Sequence, residues 1–345
     1  MLLGPNGAGK TTVVEAIVLA CLGVSPRTSR EAEAVRRGAD AFHVALALAG
    51  PDGERRREIG YAPGRGRRLA VDGQPARSLG AWRERRAVLV FLPDELRAVK
   101  GPPAARRRHL DRLLEAAEPG YADALTGYQA ALAQRNALLR RVRAGLAGEE
   151  GIAPWEAAMA ERGATVVVAR RRAVAGLVPE FARRLAALGG GPGGTLALEP
   201  SPAELADVPD EEMEAALTDA LRVRRPAEAR AGQTLAGPHR DDVRVEAAGA
   251  DLRHVGSQGE QRTAVLALLL AHRERLAAVG GRPVLLLDDV LSELDPARRG
   301  ALLASLGGGG QTLLTTADPA AAAAAAEHGG ALLRVDEGRV TRAEA

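Results

Sequence analysis

Aromatic side chains are scarce in this chain. Phe, Trp and Tyr together make up 2% of its 345 residues. Proteins that hold single-stranded nucleic acid by base stacking need a series of aromatic platforms. The near absence of such side chains argues against that class of nucleic-acid binder.

Cysteine and lysine are also almost missing. The single cysteine, Cys21, excludes an internal disulfide and a thiolate zinc cluster, and it fits a reducing cytosol. Lysine occurs only at Lys10 and Lys100, so nearly all of the positive charge is arginine. The 47 basic and 44 acidic residues leave a net charge of +3. Because the charges are nearly balanced, an anionic partner must be bound by local patches.

No apolar run reaches the roughly 18 to 20 residues that span a bilayer. The most apolar stretch, residues 264–271, is too short and is flanked by charge. Met1–Leu3 lead directly into a glycine, so we expect no signal peptide. These observations predict a cytoplasmic protein without a membrane partner, and the 46% hydrophobic content predicts packed cores.

Residues 4–11 form the first motif that points to chemistry. They read GPNGAGKT and fit the pattern G-x-x-x-x-G-K-[ST]. Glycines let backbone N–H groups turn inward around phosphate oxygens, Lys10 supplies a compact cation for the β- and γ-phosphates, and Thr11 offers a hydroxyl to Mg²⁺. The apolar run that follows predicts a helix whose N-terminus favours the anion. The predicted nucleotide-binding residues are Gly4, Pro5, Asn6, Gly7, Ala8, Gly9, Lys10, Thr11 and Thr12.

An apolar run that ends in two carboxylates is the second motif. Val284–Leu287 precede Asp288 and Asp289, a pattern typical of a buried parallel strand. Ligands of open α/β sheets bind at the carboxyl ends of the strands. We therefore expect Asp288 to hold Mg²⁺, directly or through water. We expect Asp289 to be catalytic, because it can orient or deprotonate the attacking water.

The third motif is the sequence SQGE at residues 257–260, before a predicted helix over 262–278. A Ser-x-Gly sequence at a helix N-terminus is an anion site, but taken alone it is equally a capping motif. Between the glycine-rich loop and the acidic strand, it resembles the signature motif of ABC-type ATPases. In that superfamily this serine contacts the γ-phosphate held by the opposite subunit, so the resemblance implies a dimer with two ATP molecules between the heads. The residues concerned are Ser257, Gln258, Gly259 and Glu260, and Ser292 and Asp295 stand where such proteins carry the D-loop.

The whole chain predicts an α/β fold: an ABC/SMC-type P-loop ATPase head, split in sequence, with an inserted, mainly helical arm domain. Residues 1–95 are expected to form the N-terminal part of the head, with the Walker A loop (4–11) and short strands. Residues 96–230 are expected to form the arm, with helix breaks near 119–120, 145–154 and 189–194. Residues 231–345 are expected to complete the head, with strands at 243–247, 252–255 and 311–316, the signature, the Walker B strand (284–289) and the D-loop.

Several longer passages make the chain similar to one family. They are GPNGAGKTT with Glu15–Ile17, SPRT at 25–28, FLPDELRAVKGPPAARRRHLD at 91–111, YQAALAQRNALLRRVR at 128–143, GPHRDD at 237–242, and SQGEQRTAVLALLLA with PVLLLDDVLSELD at 257–271 and 283–295. Together they resemble the RecF family of bacterial DNA replication and repair ATPases, which is related to SMC heads. The likeness covers nearly the whole chain. Without it, GPHRDD is interpreted as a turn into a hairpin in which Arg240 pairs with either aspartate.

The resemblance implies an ATP-dependent DNA-binding protein of DNA replication and recombinational repair. ATP and Mg²⁺ would join two heads into a homodimer, single-stranded or gapped DNA and linear duplex would bind, and slow hydrolysis would release them. The implied partners are RecO and RecR, and indirectly RecA, whose loading the protein would assist during SOS induction. Asp289 is one methylene shorter than the Glu common at this position in ABC enzymes. We therefore expect a weak, DNA-stimulated ATPase that turns over no faster than the order of 10 s⁻¹, a typical enzyme median.

Two other interpretations compete with this one. An ATPase subunit of an ABC transporter, or another SMC-like ATPase, would share the nucleotide motifs. Transporter ATPases carry a Gln loop and a switch His, but the corresponding stretches here, Phe91–Leu96 and Thr315–Thr316, contain neither residue. A pure binding module, with incidental hydrolysis, is the second rival. The resemblance also implies further residues before the glycine-rich loop, which predicts that the natural chain starts earlier.

Arginine clusters in the predicted arm are the candidate DNA contacts. Arg106, Arg107 and Arg108 open one helix, and Arg135, Arg140, Arg141 and Arg143 lie on the next. Most charge runs are solvated faces, so a single cluster is weak evidence by itself. Acidic residues concentrate at 199–228, which leaves the earlier helices net positive. Arginine contacts to phosphate would be independent of base sequence and strongly dependent on salt.

Overall fold

The computed structural model describes residues 1–28, 30–50, 53–76, 88–280, 283–307 and 310–342. The chain divides into two compact units, Met1–Asp94 with Leu276–Ala345 and Glu95–Arg275, named here the head and the arm unit. Their first boundary lies next to the one predicted at 95. The second lies within a helix near residue 275, whereas the motifs indicated residue 231. That 231–275 works with the ATPase head remains a prediction.

Strands and helices alternate in the head, and helices dominate the arm unit. The strands of the described residues are β1 Leu2–Leu3, β2 Phe42–Gly50, β3 Gly53–Ala62, β4 Gly66–Val71, β5 Gln74–Pro75, β6 Val88–Phe91, β7 Thr195–Glu199, β8 Asp242–Ala247, β9 Ala250–Asp251, β10 Val284–Leu287, β11 Thr312–Thr316, β12 Leu333–Asp336 and β13 Arg339–Arg342. The α-helices are α1 Lys10–Leu22, α2 Pro103–Ala117, α3 Tyr121–Arg143, α4 Ala153–Ala187, α5 Met213–Ala231, α6 Leu252–Val255, α7 Gln258–Ala278, α8 Pro296–Ser305 and α9 Pro319–Glu327.

A mainly parallel sheet organises the head. Its strand order is β13-β12-β1-β11-β10-β6, and every neighbouring pair is parallel except the β12–β13 hairpin. The strand that carries the glycine-rich loop and the strand that carries the acidic pair both border β11. Because parallel strands end at the same edge of a sheet, the two motifs meet there.

Helix α1 is apolar around most of its circumference because two layers cover it. Val14 packs with Leu286 of the parallel sheet. Leu19 packs with Ile59 of the antiparallel sheet β2-β3-β4-β5. The helix that starts at the phosphate loop is therefore held between two sheets, which fixes the direction of its N-terminus.

The arm unit is built from long packed helices beside a small antiparallel sheet, β7-β8-β9. The 35 residues of α4 extend about 50 Å at 1.5 Å per residue. Tyr128 of α3, Met159 of α4 and Leu221 of α5 share one buried cluster. The helix breaks predicted near 119–120, 145–154 and 189–194 are confirmed.

Buried ion pairs fix the GPHRDD block among the arm helices. Arg170 of α4 is 2% exposed and donates to Asp241 Oδ2 at 3.0 Å and to the Pro238 carbonyl at 2.6 Å. Arg106 of α2 forms a two-pronged pair with Asp242. Arg240 instead donates to the Thr234 carbonyl at 3.3 Å. The local pairing expected from the sequence is therefore wrong, because arginines distant in sequence satisfy both carboxylates.

Two segments differ from their predicted secondary structure, and the hairpin of β12 and β13 was not predicted. Residues 252–255 form a helical turn and not a strand, because Asp251 caps it by accepting the Arg253 N–H at 2.9 Å. Strand β7 lies in the segment predicted to be helical and pairs with β8. The hairpin β12–β13 turns at Glu337 and Gly338, whose φ values of 45° and 79° suit a two-residue hairpin turn.

The buried His272 and the partly buried His239 make the stability of the chain sensitive to acid. Burial lowers the pKa of His239 to about 4, and burial together with the nearby His109 and Arg275 lowers the pKa of His272 well below its ordinary value. Below pH 6.5 the unfolded chain takes up protons that the folded chain does not, so the free energy of unfolding falls as the pH falls. For His239 we expect a loss of about 2 kcal/mol between pH 7 and pH 5.

Urea unfolding followed by circular dichroism at the two pH values measures this loss. His239→Gln removes one of the two groups and should reduce the loss. An equal loss in His239→Gln and wild type would contradict the assignment.

No helix in the described ranges combines the length and the apolar character needed to cross a membrane.

Candidate nucleotide-binding site

The glycine-rich loop connects the end of β1 to the start of α1. Gly7 and Gly9 adopt φ values of 83° and 105°, in the left-handed region that favours glycine. Gly9 is the N-cap of α1, and no side chain among the described residues caps that helix. Its first N–H groups are therefore available to an anion, as the motif predicts.

The C-terminal hairpin shapes the loop from outside. A Cβ on Gly4 would lie 2.2 Å from the Val335 carbonyl oxygen, so only glycine fits there. The Gly338 N–H donates to the Ala8 carbonyl at 2.8 Å. Sequence patterns gave no sign of this support because the hairpin lies more than 300 residues away along the chain.

Lys10 is buried and folded back over the loop. Its Nζ donates to the Gly4 and Pro5 carbonyls at 2.8 and 3.0 Å. An ammonium group has three protons, so one donor remains for a phosphate oxygen. Gly4 and Pro5 thus act by placing this ammonium group.

Thr11 and Asp288 meet although they are 277 residues apart in sequence. Thr11 Oγ1 donates to Asp288 Oδ2 at 2.8 Å, and Asp288 Oδ1 accepts from Thr315 Oγ1 at 2.5 Å. Asp288 is 5% exposed. A buried carboxylate needs such donors or a cation nearby, because desolvation disfavours its charge.

Asp289 has an unusual backbone conformation. Its φ of 50° lies in the left-handed region, which Asp tolerates better than most residues. Its Oδ1 is buried and accepts no hydrogen bond from the described residues. The residue is only partly buried and lines the cleft beside the loop, where a carboxylate can orient or deprotonate a water molecule.

These groups border one polar cleft of about 280 Å³ in the head. Arg27, from the SPRT passage, lies at the rim of the cleft and forms an ion pair with Glu15 of α1 at 3.4 Å. Ser25 donates to the same carboxylate at 2.5 Å. In the sequence, SPRT was only a point of resemblance and had no predicted place in the site. The cleft is lined by Asn6, Gly7, Gly9, Lys10, Thr11, Thr12, Arg27, Asp288 and Asp289.

The donor set fits a nucleotide with a hard divalent cation. A hydroxyl oxygen and a carboxylate oxygen 2.8 Å apart are ligands that Mg²⁺ prefers. The helix N-terminus and the spare proton of Lys10 suit phosphate. Thr11 and Asp288 are therefore the residues that would hold the cation, and the loop residues would hold the phosphates.

The predicted signature lies in the arm unit. Ser257 Oγ accepts the Glu260 N–H at 3.3 Å and Glu260 Oε2 accepts the Ser257 N–H at 2.8 Å, which is a capping box at the start of α7. Ser257, Gln258 and Glu260 are exposed. The capping role that the sequence left open is therefore present. A role of Ser257 toward a second subunit remains a prediction.

The predicted D-loop follows Asp289 directly. Ser292 Oγ donates to the Asp289 carbonyl at 2.8 Å, and Asp295 caps α8 by accepting the Arg298 N–H at 2.9 Å. Both residues thus stabilise the turn after the acidic pair.

The predicted DNA-contacting arginines divide into two groups. Arg106 is 3% exposed and paired with Asp242, so a phosphate could reach it only by displacing a buried ion pair. Arg135, 0% exposed, is likewise held by Glu156 and Glu228. Arg107 is half-buried and donates to the Asp241 carbonyl at 2.5 Å. Exposed guanidinium groups remain at Arg108, Arg140 and Arg141.

Comparison with known proteins identifies the family. A family model described as an AAA domain matches residues 1–69. The DNA replication and repair protein RecF of Anaeromyxobacter sp. (strain Fw109-5) is 39% identical over 309 residues, which cover 89% of this chain and 82% of the relative. RecF of Heliobacterium modesticaldum is 36% identical over 315 residues, with the same coverage. The chain belongs to the RecF family.

Solved structures agree with this membership. A structure of the recombination mediator protein RecF-ATP in the RecFOR pathway matches with a TM-score of 0.85 at 27% identity, covering 99% of this chain and 91% of that chain. An SMC head bound to the C-winged helix domain of ScpA matches with a TM-score of 0.58 at 16% identity, which shows the fold alone. The predicted fold class is confirmed. Membership in the RecF family favours the replication and repair interpretation over the transporter interpretation.

Proposed function

We propose that this chain is an ATP-dependent DNA-binding ATPase of DNA replication and recombinational repair. The observation that carries the proposal is the single cleft in which Lys10, Thr11, Asp288 and Asp289 meet. Its relatives are named for DNA replication and repair, and one RecF protein was solved with ATP. These findings support ATP as the nucleotide and the cytoplasm as the place of action.

The head residues divide the work of hydrolysis. Lys10 and the loop N–H groups bind the phosphates, and Thr11 and Asp288 hold Mg²⁺. When bound, Mg²⁺ supplies positive charge against the charge that develops on the phosphates. The Asp289 carboxylate accepts a hydrogen bond from the attacking water and takes its proton while the water oxygen attacks the γ-phosphorus and the bond to the β–γ bridging oxygen breaks.

The dimer gives hydrolysis its role as a switch. Ser257 of one copy would contact the γ-phosphate held by the other copy, so that two ATP molecules join two heads. Hydrolysis would separate them and release DNA. Work with RecO and RecR in loading RecA, and a part in SOS induction, belong to this proposal through the family resemblance.

Exposed arginines on the arm helix α3 are the proposed phosphate contacts. We expect Arg140→Ala with Arg141→Ala to weaken binding to every duplex sequence alike. The slope of the logarithm of the binding constant against the logarithm of salt concentration should fall by about two, one for each arginine that is removed. Fluorescence anisotropy over a salt series with ATP present measures both effects and tests the proposal.

The control is Arg222→Ala, an exposed arginine of the same unit that pairs with Asp219. It removes a charge of the same sign outside the proposed surface and should keep the wild-type salt slope. If the control and the double variant behave alike, net charge and not this surface determines DNA binding.

A further inference from the structure

Thr315 of β11 links the two acidic residues of the site. β11 pairs with β10 in register Leu314 to Leu287, so Thr315 stands level with Asp288. Its side chain is 0% exposed. Its Oγ1 donates to Asp288 Oδ1 at 2.5 Å and accepts the backbone N–H of Asp289 at 3.0 Å. One hydroxyl therefore contacts both functional residues.

The chemistry of a hydroxyl fixes the direction of these bonds. It has one proton and two lone pairs. A backbone N–H can only donate, so it uses a lone pair of Thr315, and the proton is directed at Asp288. Asp288 then accepts at both oxygens, from Thr315 at Oδ1 and from Thr11 at Oδ2. These two bonds hold the carboxylate with Oδ2 turned toward Thr11.

The same hydroxyl holds the backbone of Asp289. The left-handed φ of 50° at Asp289 is uncommon outside glycine and persists only when surrounding contacts impose it. The bond from the Asp289 N–H to Thr315 lies at the start of this turn. Without it, Asp289 loses an anchor for the conformation that places its carboxylate beside the cleft.

We infer that Thr315 is a positioning residue for the acidic pair. Through Asp288, Thr315 sets the Mg²⁺ concentration that the site needs. Through Asp289, it sets the rate of turnover. Nucleotide binding without Mg²⁺ depends instead on Lys10 and the loop. This inference rests on the proposed ATPase function. It assigns a role to the stretch in which transporter-type ATPases carry their switch His.

The test compares Thr315→Val, which keeps the β-branched shape and removes the hydroxyl, with Thr315→Ser, which keeps the hydroxyl. Binding of a fluorescent ATP analogue is measured without Mg²⁺ and over a Mg²⁺ titration, and kcat is measured separately. For Thr315→Val we expect the Mg²⁺ concentration at half-saturation to rise about 10-fold and kcat to fall about 10- to 100-fold, as for residues that orient metal ligands. Affinity without Mg²⁺ should not change, and Thr315→Ser should resemble wild type.

Thr316→Val is the matched control. Thr316 is also 0% exposed, and its hydroxyl accepts the Asp318 N–H at 3.0 Å. This variant should keep the wild-type Mg²⁺ titration. If Thr315→Val and Thr315→Ser shift the titration equally, or neither shifts it, the inference is overturned.

A second pair keeps the test decisive if Thr315→Val does not fold. Thr315→Ala and Thr315→Ser both lose the methyl group and differ in the hydroxyl, so the same difference in Mg²⁺ requirement is expected between them. Wild-type protein that binds no ATP would refute the proposed function itself, a result separate from failure of the Thr315 role.

Discussion

Asp289→Asn should bind ATP and DNA but lose hydrolysis. Asn has the same shape and also tolerates the left-handed backbone, so the turn after β10 should persist. The amide cannot take a proton from water, and we expect kcat to fall by a factor on the order of 10² to 10⁴, the usual contribution of a general base. Because hydrolysis is the proposed release step, DNA should remain bound after excess competitor DNA is added.

Two measurements check this expectation: phosphate release, and the rate of DNA dissociation with Mg²⁺–ATP present. Asp40→Asn, at an exposed position of the head, is the control and should match wild type in both. If Asp289→Asn stops phosphate release but DNA leaves at the wild-type rate, hydrolysis has no gating role. The chain would then be a binding module with incidental hydrolysis.

Lys10→Ala should weaken nucleotide binding strongly, together with every property that depends on it. The variant removes a buried ammonium group that organises the loop through the Gly4 and Pro5 carbonyls and supplies a proton for phosphate. Hydrogen bonds that involve a charged group contribute about 1.5 to 3 kcal/mol each, so we expect a loss of affinity on the order of 10- to 100-fold or more.

The chain provides an unusually direct control, because Lys100 is its other lysine. Lys100→Ala, at an exposed position of the arm unit, should keep wild-type affinity for ATP in isothermal titration calorimetry. If Lys10→Ala and wild type bind ATP with equal affinity, the assignment of the glycine-rich loop to phosphate binding is contradicted.

The sequence predicted the parts of the site that are local in the chain. The glycine-rich loop and the acidic strand each combine a turn or strand signal with chemical groups at fixed spacing, so residues 4–12 and 284–289 could be assigned without a structure. The other residues of the site are brought there by the fold and not by their position in the sequence. Thr315, Gly338 and Arg27 reach the site from separate elements, and none of them belongs to a motif that names it as a functional residue.

In the arm unit, the sequence pattern did not show which arginines are exposed. Arg106, Arg107 and Arg108 form one run in the sequence, yet the helix directs Arg106 into a buried pair with Asp242 and leaves Arg108 exposed. Helical periodicity separates neighbours onto different faces. The buried face of α2 is the one whose Arg106 pairs with Asp242 of β8. This strand follows the arginine run by more than 100 residues, so the run alone could not indicate the buried face.

The central claim is that each copy supplies half of a nucleotide site, and subunit mixing tests it most directly. Lys10→Ala lacks a working loop, and Ser257→Arg lacks a working signature, so each variant alone should hydrolyse almost no ATP. In an equal mixture half of the dimers are mixed and each holds one intact site, so about a quarter of the wild-type rate should return. A mixture that stays inactive, or a Ser257→Arg protein that is active alone, would contradict the account.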